Sequence, residues 1–120
     1  MKIQDFAGHL FEVRINAHIA HLQATGPGSF AKHKALDELY NGIVDLTDSY
    51  LETYQGINGI VKGYPQIKVA EITDMVYYIS NKREMFRSYR SEVKETELQQ
   101  KVDDILEFLD QIIYKLKYLA

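Results

Sequence analysis

Residues 21–52 read HLQATGPGSFAKHKALDELYNGIVDLTDSYLE, and this stretch decides both the fold class and the candidate chemistry. His21, His33, Asp37, Asp48 and Glu52 follow one another at intervals of twelve, four, eleven and four residues. On a helical wheel with His33 at zero, Asp37, Asp48 and Glu52 fall at about 40°, 60° and 100°, so the four form one stripe. The rise from Asp37 to Asp48 is about 16 Å, whereas bonds from first-row metals to nitrogen or oxygen are about 2 Å long. One helix therefore cannot close a site with all of them. A second copy packed antiparallel across a two-fold axis can. The pairs His33/Glu52, Asp37/Asp48 and Asn41/Val44 are all centred on the same point between residues 42 and 43, so each member lies level with the other on the partner. The spacing predicts an isologous dimer with two equivalent sites.

Working outward, Gly26, Pro27 and Gly28 form a helix-breaking corner, with Ser29 placed to cap the next helix. Before the corner, Phe6, Leu10, Val13, Ala17, Ala20 and Ala24 recur every three or four residues and predict a helix over about 3–24. After it, Leu36, Leu39, Tyr40, Ile43, Leu46, Tyr50, Leu51 and Tyr54 form the apolar face of a helix over about 30–54, with the carboxylate stripe beside that face. Gly56, Asn58, Gly59, Gly63 and Pro65 break the pattern over about 55–66, and either a long crossover or a hairpin turn fits that length. Ile72, Met75, Val76, Ile79, Phe86 and Tyr89 mark a third helix over about 68–90, with Lys82, Arg83, Arg87 and Arg90 toward its C-terminal end. Leu98, Val102, Ile105, Leu109, Ile112, Leu116 and Leu119 step by four and three through a fourth over about 95–119. Four amphipathic helices in 120 residues predict an all-α, four-helix bundle, a single domain over 1–120.

Composition narrows the chemistry. The chain has no cysteine, which removes disulfides, thiolate metal sites and a cysteine nucleophile. A formal charge of −3 with no basic tail disfavours nucleic acid. No uncharged apolar run approaches the roughly 20 residues of a membrane span, and Asp5, His9, Glu12 and Arg14 interrupt any signal-like block, so a cytoplasmic protein without membrane contact is expected. Imidazole and carboxylate donors suit Fe(II), Mn(II) or Zn(II). His21 and His33 must be neutral to bind, so affinity is expected to fall as the pH drops through about 6.5. His18 is a candidate outer ligand or, more commonly, a surface histidine, and His9 reads as surface.

With its glycine-proline corner the segment resembles the Dps family, the mini-ferritins, whose motif is roughly H-W-x-x-x-G-P-x-x-F-x-x-H-x-x-x-D-E followed by D-x-x-x-E. The matching residues are His21, Gly26, Pro27, Phe30, His33, Asp37, Glu38, Asp48 and Glu52. The resemblance implies a ferritin-like bundle and a ferroxidase centre between subunits, with His21, His33 and Asp37 from one and Asp48 and Glu52 from the other. It also implies iron as the metal, oxidation of Fe(II) by hydrogen peroxide or dioxygen, and iron storage inside a twelve-subunit shell. Leu22 stands where the family has tryptophan, with Tyr40, Tyr50 and Tyr54 as candidate substitutes. The 55–66 connection is shorter than the family's, and its lysine-rich DNA-binding tail is missing. These departures leave an alternative expectation, a catalytically silent ferritin-like bundle with a structural or interaction role.

Overall fold

The computed structural model describes residues 1–119. It contains four helices, α1 (Ile3–Leu22), α2 (Ser29–Asn58), α3 (Met75–Arg90) and α4 (Thr96–Tyr118), and no strand among the described residues. The expected all-helical class is therefore present. At about 1.5 Å per residue the 30-residue α2 is about 45 Å long, which sets the 47 Å long axis of the molecule.

Side-chain pairings fix the topology. Phe6 meets Tyr50 at one end of the bundle, with ring centroids 4.8 Å apart, and His21 meets His33 at the other, so α1 and α2 are antiparallel. Phe6 also meets Phe86, and Lys82 bonds Glu12, which makes α3 antiparallel to α1. Arg83 pairs with Asp110 and Arg90 with Asp103, which makes α4 antiparallel to α3, and Lys115 reaches Glu38 on α2. Each of α1 and α4 packs against both α2 and α3, while α2 and α3 sit on a diagonal. Since α2 and α3 run the same way, the chain between them must travel the whole length of the bundle.

Residues 59–74 do so in extended form along the flank of α1. Gln4 Nε2 donates to the Lys62 carbonyl (3.0 Å), and the Lys68 amide donates to Glu12 Oε1 (3.0 Å). Asn16 Nδ2 donates to the Lys68 carbonyl (3.1 Å), and Asn16 Oδ1 accepts from the Ala70 amide (2.8 Å). Polar side chains of α1 thus replace the ladder partners that an extended segment otherwise lacks. Close approach also requires Gly8, where a Cβ would stand 2.8 Å from Cγ of Pro65.

Several boundaries differ from expectation. The break lies at 59–74 rather than 55–66, and α3 begins at Met75 rather than near 68, because Asp74 Oδ1 accepts the Tyr77 amide as an N-cap (3.0 Å). Ile72, in register with the apolar face of α3, is half-buried from the extended crossover instead. Helix α2 continues through Gly56 and stops at Gly59, which takes a left-handed φ of 90°. Gly28, rather than Ser29, occupies the cap position of α2, and Ser29 makes no capping bond. The core is one cluster drawn from all four helices. Phe6 stacks on Tyr89 (4.1 Å), and Leu98, Val102, Ile105, Leu109 and Ile112 are buried as the heptad pattern predicts, while Leu119 emerges at the surface.

Candidate metal centre

The glycine-proline corner reverses the chain so that the last turn of α1 faces the first turns of α2. Gly26 (φ 88°) and Gly28 (φ 76°) take left-handed backbone there, as a turn this tight requires. The reversal joins His21 to His33 and Asp37. His21 is 8% exposed, and its Nε2 stands 3.8 Å from Asp37 Oδ1. The half-buried ring of His33 stacks on that of His21 with centroids 3.8 Å apart.

Proton positions follow from the partners. His33 Nδ1 lies 3.0 Å from the His21 carbonyl, which can only accept, so Nδ1 carries the proton and Nε2 keeps a free lone pair. Such a backbone bond orients metal-ligating histidines. His21 Nδ1, by contrast, is buried with no hydrogen-bond partner. Burial above all, and then the neighbouring His33, lowers the pKa of His21 below 6.5 against the opposing pull of Asp37. Its imidazole is therefore neutral at pH 7, the form that binds metal.

Tyr40 completes this half-site. Its ring meets His21 edge-on at 5.1 Å, and exposed His18 stacks on its other side at 4.2 Å. The neighbouring Asp37 first, and burial second, raise the phenol's pKa. Of the three tyrosines singled out in the sequence, Tyr40 is the one at the half-site, whereas Tyr50 is buried with its hydroxyl 3.1 Å from that of Tyr89.

Asp48 and Glu52 project from exposed positions farther along α2, away from the histidines. Among the described residues of a single chain, no group of three or more His, Asp or Glu side chains is arranged to hold a metal ion. Two reasons are geometric. The carboxylates are separated along the helix, and stacking holds the imidazoles closer than ligation allows. Two imidazoles on one tetrahedral metal have centroids about 5 Å apart, given metal–nitrogen bonds of about 2 Å, so His33 must swing outward to share an ion with His21. Glu38, part of the motif, is already paired with Lys115 at 2.6 Å. Leu22, at the tryptophan position, is 69% exposed, and Phe30 is 75% exposed.

Sequence reasoning missed a second polar cluster on α1, formed by His9, Glu12 and Lys82. The i, i+3 spacing of His9 and Glu12 signals a shared helix face, but nothing in the sequence indicated that a lysine on α3 would be buried against it.

A family model, described as a family of unknown function, DUF5856, matches residues 21–116. No curated protein and no solved structure matches the chain. With most of its length matched, the chain belongs to DUF5856.

Proposed function

We propose that this DUF5856 member is a ferritin-like, Dps-like protein that takes Fe(II) as substrate at sites shared between two-fold related copies. Electrons pass from ferrous ions to hydrogen peroxide or dioxygen, and the ferric product is stored. The observation that carries the reading is the half-site itself. His21, kept neutral by burial, directs Nε2 toward Asp37, and His33 is fixed in the tautomer that leaves Nε2 free.

Two further observations support it. A single long crossover joining parallel α2 and α3 is the connection found in ferritin-like bundles. On one side α1 presents Ile15, Ile19 and Leu22, the first two half-buried and Leu22 exposed. That apolar strip is suited to a second copy of the chain. In such a dimer Asp48 and Glu52 of each copy complete the partner's His21, His33 and Asp37. Asp37 and Glu52 then supply the negative charge that favours Fe(III) over Fe(II), and the histidines supply neutral donors. Zn(II) and Mn(II) fit the same donor set. Assembly beyond the dimer, up to a dodecamer, belongs to the resemblance. The stacked imidazoles and exposed Leu22 favour one rival, a catalytically silent bundle with a structural role.

Aerobic Fe(II) oxidation by the purified protein separates the two. Wild type is expected to exceed a buffer blank, His33→Ala and Asp48→Ala each to lose activity, and a mixture of the two inactive variants to regain part of it. Wild-type activity equal to the blank removes the ferroxidase reading. Failure to complement despite subunit exchange removes the shared site.

A further inference from the structure

On the flank of α1 away from the histidine pair, Lys82 of α3 is only 7% exposed. Its ammonium donates to Glu12 Oε2 at 2.5 Å and to His9 Nδ1 at 2.7 Å. Glu12 spends its other oxygen, Oε1, on the Lys68 amide of the crossover. One carboxylate therefore ties together α1, α3 and the extended segment. We infer that His9, Glu12 and Lys82 form an acid-sensitive latch that holds the crossover against α1.

The protonation state of His9 decides whether the latch is closed. To accept from an ammonium, Nδ1 must present a lone pair, so the closed latch needs neutral imidazole with its proton on Nε2. Protonation turns Nδ1 into a donor and places a second cation beside the buried Lys82. The imidazolium, 3.4 Å from Glu12 Oε2, then competes with Lys82 for that oxygen. The charged groups facing His9 are Glu12 and Asp5 on α1 and Lys82 on α3; Met1 lines the same cavity with its ammonium paired to Glu92, and the crossover contributes Pro65 and Gln66, neither of which titrates. Burial first and Lys82 second lower the pKa of His9, outweighing the two carboxylates. Burial pushes Glu12 upward, but Lys82, the Lys68 amide and His9 together hold its pKa below 4.5. Glu12 therefore stays ionised while His9 titrates. Folding favours neutral His9, so this contribution is complete above about pH 6.5 and is lost as the pH falls toward the folded-state value.

Amide hydrogen exchange of the full chain at pH 7.5 and 5.0, corrected for intrinsic exchange rates, tests the latch at Lys68, with the core amide of Leu10 as a control for global unfolding. Wild type is expected to lose protection at Lys68 by about tenfold at pH 5.0, with a smaller loss at Leu10, because local opening precedes global unfolding. His9→Gln keeps an acceptor that cannot become cationic, and its Lys68 protection is expected to stay level across the same range. Lys82→Met is expected to show low protection at Lys68 at both pH values. Unchanged wild-type protection, an equal loss in His9→Gln, or a wild-type response in Lys82→Met would each overturn the inference.

Discussion

Helix α1 carries two histidine clusters twelve residues apart, and they are finished to different degrees. Around His9 no buried side-chain nitrogen or oxygen lacks a partner among the described residues. Lys82 bonds both His9 and Glu12, and Glu12 also takes the crossover amide. Around His21 a buried ring nitrogen has no partner, Nε2 stops 3.8 Å short of Asp37, and Asp48 and Glu52 face outward. Buried polar groups are costly unless satisfied, so a completed cluster reads as part of the fold, whereas an incomplete one at a surface invites a ligand or a second chain. The polar residues that the sequence brings to notice are the incomplete ones. Those that hold the crossover lie among residues that read as ordinary surface.

The largest effect is expected at Glu12. Glu12→Ala leaves the Lys82 ammonium buried without its counter-ion and removes the acceptor for the Lys68 amide, so thermal unfolding is expected to show a loss of about 3 kcal/mol. A loss under about 1 kcal/mol would mean that water satisfies the cluster in place of Glu12.

Next in size is the response of the other cluster to metal. Anaerobic Fe(II), or Zn(II) as a redox-silent substitute, at about a hundredfold excess over its dissociation constant is expected to stabilise the protein by about 2.7 kcal/mol, because the ion binds the folded form. His33→Ala and Asp48→Ala should both abolish the shift. Stabilisation that survives Asp48→Ala would confine the site to one chain.

Metal affinity at the His21 cluster is expected to depend on pH. His21 is held below its ordinary pKa, so metal should not compete with its proton until the pH falls below about 6.5. Zn(II) titration calorimetry is expected to give nearly constant affinity from pH 8 to 7 and progressive weakening below about 6.5, with release of bound protons in that range. Affinity already falling between pH 8 and 7 would place His21 in a more polar setting than its burial indicates.

The smallest effect is expected from removing the unfinished residue in metal-free protein. His21→Ala gives up packing against His33 and Tyr40 but also removes an unsatisfied buried nitrogen, so the two changes offset to within about 1 kcal/mol. A much larger loss by thermal unfolding would mark His21 as structural.

The same division runs through the fold. Helix α4 was legible because its heptads alternate by four and three, and from Leu98 to Ile112 every one of those positions is buried. The corner at residues 26–28 was legible because glycine and proline leave the backbone little choice there. The stretch from 59 to 74 was not. Ile72 falls in register with Met75, Val76 and Ile79 and imitates a longer helix, and the anchors that hold the extended segment, Gln4, Glu12 and Asn16, lie more than fifty residues earlier. Asp74 is the start signal that a helix placed over 68–90 passes over, since its capping carboxylate stands directly before the first turn of α3.

For the candidate site, the sequence by itself determined which donors share a stripe, because helical spacing fixes angle and rise without reference to neighbours. It also determined that Asp48 and Glu52 stand too far along α2 to meet His33 and Asp37 within one chain. Only packing settles that the imidazoles of His21 and His33 stack, that Tyr40 meets His21 edge-on, that the crossover travels the bundle's length, and that Lys82 is drawn inside against Glu12. Those outcomes depend on contacts between segments distant in the chain. Helical periodicity orders the side chains of one segment, but only packing selects the partners they meet across the bundle.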